Sequence, residues 1–120
     1  MTLRKLTSLI QASLTDDLLK PKYQWRARIH PTAYHCYTAS ECAYHLLGGK
    51  KAGWKPMVVR HENATHWFLK HESGKILDLT KKQFISIPPY ASARGCGFLT
   101  KKPSKRTKTL IKRVKQHGHL

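Results

Sequence analysis

The chain has 120 residues, 40% of them hydrophobic, which is enough for one domain with its own core and too much for wholesale disorder. Lys and Arg number 23 against 6 Asp and Glu, a formal charge of +17, so the surface attracts polyanions: nucleic acid, anionic head groups or acidic proteins. No apolar run approaches the length of a membrane span, and Arg4 and Lys5 are not followed by the apolar core of a signal peptide. Three irregularly spaced cysteines make no disulfide framework, so a reducing cytoplasm is the expected compartment.

Leu3, Leu6, Leu9 or Ile10, and Leu14 recur at helical spacing and predict an amphipathic first helix. Thr15-Asp16-Asp17 is placed to cap a short second turn ending before Pro21. Residues 20–31 lack a period and read as a packed loop anchored by Tyr23 and Trp25. A central helix follows, from Tyr34 or Cys36 to Leu47, with Ala39, Ala43, Leu46 and Leu47 on one face and Gly48-Gly49 as its left-handed stop. Cys36 lies at the N-terminal end of that face, where the helix dipole favours a thiolate. Glu41 and His45 are spaced for an i, i+4 pair on another face.

After Gly53 the period changes to two. Pro56–Arg60 reads as a strand, 62–64 as a turn, and 66–70 with 75–79 as a hairpin. Its connection decides which side chains meet. A two-residue loop at Glu72-Ser73 pairs His66 with Leu79 and sends Asp78 to the opposite face. A three-residue loop with Gly74 left-handed pairs Phe68 with Asp78, leaving His66 diagonal to Asp78 on one face and within reach. Gly74 favours the second register. Ile85-Ser86-Ile87 reads as a strand or an extended segment until Pro88-Pro89-Tyr90 breaks it, and 91–99 reads as a loop in which Gly95-Cys96-Gly97 suggests a tight turn with a buried thiol. The expected organisation is one α+β domain over 1–99, with N-terminal helices on a small antiparallel sheet, and a basic tail over 100–120 that is helical at 104–116.

Cys36, His66 and Asp78 together carry a recognisable chemistry. A thiolate nucleophile needs an imidazole to hold its proton and return it to the leaving group, and a carboxylate to fix the imidazole tautomer. The first oxyanion donor would be the Cys36 backbone N–H; His35 and Gln24 are candidates for the second. The competing use of these side chains is a metal site, but neither Cys-x-x-Cys nor His-Glu-x-x-His occurs, and no metal or cofactor is expected.

The order of helix-borne Cys36, strand-borne His66 and strand-borne Asp78 resembles the papain-like superfamily of thiol hydrolases, including its transglutaminase-like and NlpC-like branches. The run Trp25, Pro31, His35-Cys36, Leu47-Gly48-Gly49, then His66-Trp67-Phe68 and Asp78-Leu79-Thr80-Lys81-Lys82-Gln83-Phe84, is similar to small bacterial and phage proteins of the YunG type. That pattern commonly has glycine two residues before the cysteine, where this chain has Tyr34. The resemblance implies a papain-like core and supplies no substrate; the helix, strand, strand order of Cys36, His66 and Asp78 makes the leading expectation a small cysteine hydrolase or acyltransferase, acting on an amide, peptide or isopeptide bond in a bacterial or phage-infected cytoplasm.

Asp78 is the last acidic residue, and the tail from Thr100 carries eight basic ones. Lys101, Lys102, Lys105, Arg106, Lys108, Lys112 and Arg113 are placed to grip nucleic-acid phosphates or an acidic protein or peptide; alternatively the segment is a solvated helix packed through Leu110, Ile111 and Val114. A non-enzymatic basic binding protein is therefore the second reading of the chain.

Overall fold

A computed structural model describes residues 2–19 and 35–118. The helix expected at the N-terminus is α1, Leu3–Ser13, capped by Thr2, whose Oγ1 accepts the Lys5 N–H at 3.1 Å. Leu6 and Ile10 are buried on its inner face. The central helix α2 spans Cys36–Leu46. It stops where Gly48 turns left-handed at φ +95°, a conformation that costs a residue with a Cβ.

Two antiparallel hairpin strands follow: β1, Trp54–His61, and β2, Ala64–His71. Their two-residue turn puts Glu62 and Asn63 at φ 48° and 65°, the mirror-image geometry that matches strand twist. β3 is short, Ile76–Leu77, and pairs Leu69 with Leu77. That register comes from the three-residue loop: Gly74 has φ +95° and its N–H returns to the His71 carbonyl at 2.8 Å. β4, Arg94–Gly95, adds to the other side of β1, giving the order β3-β2-β1-β4.

The chain is thus α+β, with helices on one face of a small antiparallel sheet. Alternation along β2 sorts the core in two. Leu69, with Trp54 and Leu77, packs on Ala39, Cys42 and Ala43 of α2, and this cluster extends to α1. Phe68 faces the opposite way, with Met57, Val59, Tyr90 and Ala93.

The basic segment forms a third helix, α3, Lys105–Gly118, and Leu110 and Val114 enter the main core with no exposed surface. Ser104 caps it, its Oγ accepting the Thr107 N–H at 3.3 Å. Arg113 clasps Asp17 through Nη2–Oδ2 at 2.5 Å and Thr15 Oγ1 at 2.8 Å, tying α3 to the segment after α1. The guanidinium in turn holds the Asp17 carboxyl down at about 2.

Three expectations are corrected. Glu41 does not reach for His45; it is fully buried, and its carboxylate accepts the Ser104 N–H at 2.9 Å and the Tyr37 hydroxyl at 3.4 Å, because α3 packs over that face of α2. Residues 85–87 are not a strand: the N–H groups of Ile85 and Ser86 both donate to the Glu62 carboxylate at 3.0 Å, spending the donors that a ladder requires. The 91–99 segment holds β4, and Cys96 within it is half-exposed rather than buried. No helix among the described residues is long and apolar enough to cross a membrane.

Candidate active site

β3 ends at Leu77, opposite Leu69, so residues 64–68 of β2 extend past it. The N-terminus of α2 lies against this uncovered edge. Cys36, its first residue, is half-exposed, and its Sγ sits 3.9 Å from the Thr65 carbonyl oxygen. Tyr37, the next residue of α2, and Trp67, two residues beyond Thr65, meet edge to face with centroids 4.9 Å apart, and Phe98 stacks on Trp67. The helix packs on the Leu69 face of β2 while the His66 side chain lies on the Phe68 face; the thiol meets the Thr65 carbonyl at the strand edge that β3 leaves open.

His66 is fully buried. Its Nε2 lies 2.7 Å from Asp78 Oδ2, as the three-residue loop requires. The carboxylate is held in turn: Oδ2 also accepts the Tyr90 hydroxyl at 2.8 Å, and Oδ1 accepts the Thr80 N–H at 3.2 Å. With Nε2 committed to a carboxylate, that nitrogen carries the proton in the neutral ring and Nδ1 presents its lone pair. Nδ1 is buried and has no close hydrogen-bond partner among the described residues.

Burial alone would push the His66 pKa down, but the hydrogen bond to Asp78, its charge and the neighbouring Cys36 thiol outweigh it and raise the value to about 9. The ring is therefore poised as an imidazolium near neutral pH. Phe84 closes over it edge-on at 4.7 Å, and Phe68 lies nearly parallel at 6.2 Å, so solvent reaches the thiol side of the pair and not the ring itself. The Tyr90 hydroxyl is pushed well above its usual value by burial and by the Asp78 charge, so it remains a donor.

The segment bearing Phe84 is fixed from below. Glu62 accepts from Ile85 and Ser86, and His61 Nε2 lies 3.1 Å from the Ser86 carbonyl oxygen. Those N–H groups hold the Glu62 carboxyl below its ordinary range.

His35 is fully buried beneath the start of α2, so its ring is not turned out toward a substrate; its carbonyl accepts the Ala39 N–H at 2.8 Å. Since the α2 ladder begins there, the N–H groups of Cys36, Tyr37 and Thr38 lie ahead of it, at the end of the helix that favours an anion. Gln24, Tyr34, Tyr23 and Trp25 lie outside the described residues. Cys42 is buried in the core, where loss of hydration pushes its thiol up to about 12. Of the basic residues, Lys101, Lys102, Lys105, Arg106, Lys108 and Lys112 are exposed, while Arg113 is spent on Asp17. Among the described residues no three His, Cys, Asp or Glu side chains gather as a metal site would require.

Tyr90, Thr80 and Phe84 complete the site and were not anticipated from their chemistry. Phe84 and Thr80 fall within the run that starts at Asp78, so their spacing from the carboxylate was a usable signal. Tyr90 had only its place after Pro88-Pro89 to mark it as an anchor. No family model, curated protein or solved structure matches this chain.

Proposed function

We propose that the protein is a small papain-like cysteine hydrolase or acyltransferase, acting on an amide, peptide or isopeptide bond. One observation carries this reading: a buried imidazole, fixed by a carboxylate at 2.7 Å, on the strand whose edge meets a half-exposed thiol at the start of a helix. A packing role for Cys36 would need neither the paired ring nor the solvent exposure.

In the proposed reaction Cys36 Sγ attacks the carbonyl carbon, forming a C–S bond as the carbonyl oxygen gains negative charge. The Cys36 N–H at the head of α2 is the donor in place for that oxygen. His66 holds the thiol proton on Nδ1 and delivers it to the leaving nitrogen as the C–N bond breaks. Water, or an acceptor amine, then attacks the thioester with His66 taking its proton, and the thiol is regenerated when the C–S bond breaks. Asp78 keeps Nε2–H engaged throughout, and Tyr90 and Thr80 keep Asp78 in place.

Labelling with iodoacetamide tests the assignment. Cys36 is expected to react faster than half-exposed Cys96, with Cys42 silent, and His66→Ala is expected to bring Cys36 down to the Cys96 rate. Equal labelling of Cys36 and Cys96 in the wild type, indifferent to His66, would remove the activated nucleophile.

A further inference from the structure

The charge on α3 is sorted by what the helix packs against. Thr107, Leu110 and Val114 face the core, and Lys105, Lys108, Lys112 and Lys115 are exposed on the other side. At 3.6 residues per turn these four lysines fall within about 80° of arc and run for about 15 Å along the helix. Among the described residues none of the four has an ion-pair partner. The carboxylate of Asp17, at the flank of α3, is already matched to Arg113, and no acidic residue follows Asp78 in the chain. Lys108, Lys112 and Lys115 also line a shallow groove of about 350 Å³ with Ile111 and Gln116.

We propose that this lysine stripe is a docking surface for the phosphate backbone of duplex nucleic acid, bound without regard to sequence. A backbone offers charge continuously, so each lysine finds a phosphate wherever it falls; an acidic protein would have to match four fixed positions. Ammonium groups act as point charges and lack the planar fork that reads base edges or fixes a single carboxylate geometry. A membrane surface is disfavoured because the stripe presents no large exposed apolar side chain to insert; the exposed Ile85, Ile87 and Leu99 all lie outside α3. The surface is distinct from the Cys36 site and would hold the protein on nucleic acid, where basic or nucleic-acid-bound proteins concentrate.

Anisotropy of a labelled duplex of about 20 base pairs, titrated between about 50 and 200 mM salt, reads the interaction. Four neutralised phosphates give an expected slope of about −3.6 in log K against log salt. Lys108→Glu/Lys112→Glu/Lys115→Glu is expected to flatten it by about 2.7, and the milder Lys108→Gln/Lys112→Gln/Lys115→Gln to flatten it equally. Lys50→Glu/Lys51→Glu/Lys75→Glu, an equal change of charge at exposed positions outside α3, is expected to leave the slope near that of the wild type. Cys36→Ala is expected to bind as the wild type, so failure of the catalytic reading would not affect this result. Equal flattening by the Lys50 set, a slope near zero in the wild type, or tighter salt-sensitive binding to anionic lipid vesicles than to the duplex would each overturn the proposal.

Discussion

Asp78→Ala is expected to lower the unfolding free energy by about 3–5 kcal/mol at neutral pH, measured by urea denaturation. The carboxylate is the charge partner of a fully buried imidazolium and also the acceptor for the Tyr90 hydroxyl and the Thr80 N–H. Removing it strands all three. The loss depends on pH with a definite sign. The folded His66 pKa, at about 9, lies above its ordinary 6.5, so the folded state binds the proton more tightly and gains from it. That gain is complete below about pH 6.5 and disappears as pH rises through about 9. The gap between wild type and Asp78→Ala should therefore be widest in mildly acidic solution and narrow above pH 9.

The second large effect is on chemistry. With an acyl p-nitroanilide as substrate, His66→Ala is expected to slow turnover by about 10²–10⁴-fold, the usual worth of a positioned general acid–base. The shape of the pH profile separates this from simple misfolding. Wild-type turnover should fall as pH rises through about 9, because the ring loses the proton it owes to the leaving amine. The residual rate of the variant should instead climb with pH, since its thiol must ionise without help. A parallel fall in both would mean that His66 has no part in proton transfer.

Much of this site was legible because one glycine fixed it. Gly74 at a left-handed position favours the three-residue loop, and that register brings Asp78 diagonal to His66; the 2.7 Å contact follows from turn chemistry more than from any property of the two residues. The stop of α2 at Gly48 and the apolar stripe of α3 were equally local and equally readable. What was not readable depends on partners distant in sequence. Ile85 and Ile87 alternate like a strand, but the Glu62 carboxylate, more than twenty residues earlier, takes the N–H groups of Ile85 and Ser86. Glu41 has the spacing for a surface pair with His45 and instead caps a helix that begins at Lys105. Tyr90 reaches Asp78 across a segment with no period, and β4 is two residues long, below what alternation can reveal. The contact of Cys36 with the Thr65 carbonyl depends on where β3 ends, which follows from the turn of the chain at Asp78 and not from the composition of the strand.

The account rests on a thiol and a carboxylate acting on one imidazole from its two nitrogens. Titration of the His66 ring by NMR tests this most directly, in the wild type and in Cys36→Ala. The wild-type pKa is expected at about 9 and is expected to fall clearly when the thiol is removed, because Cys36 contributes to the shift alongside Asp78. A ring that titrates near 6.5, or one whose elevated value is the same with and without the thiol, would contradict it.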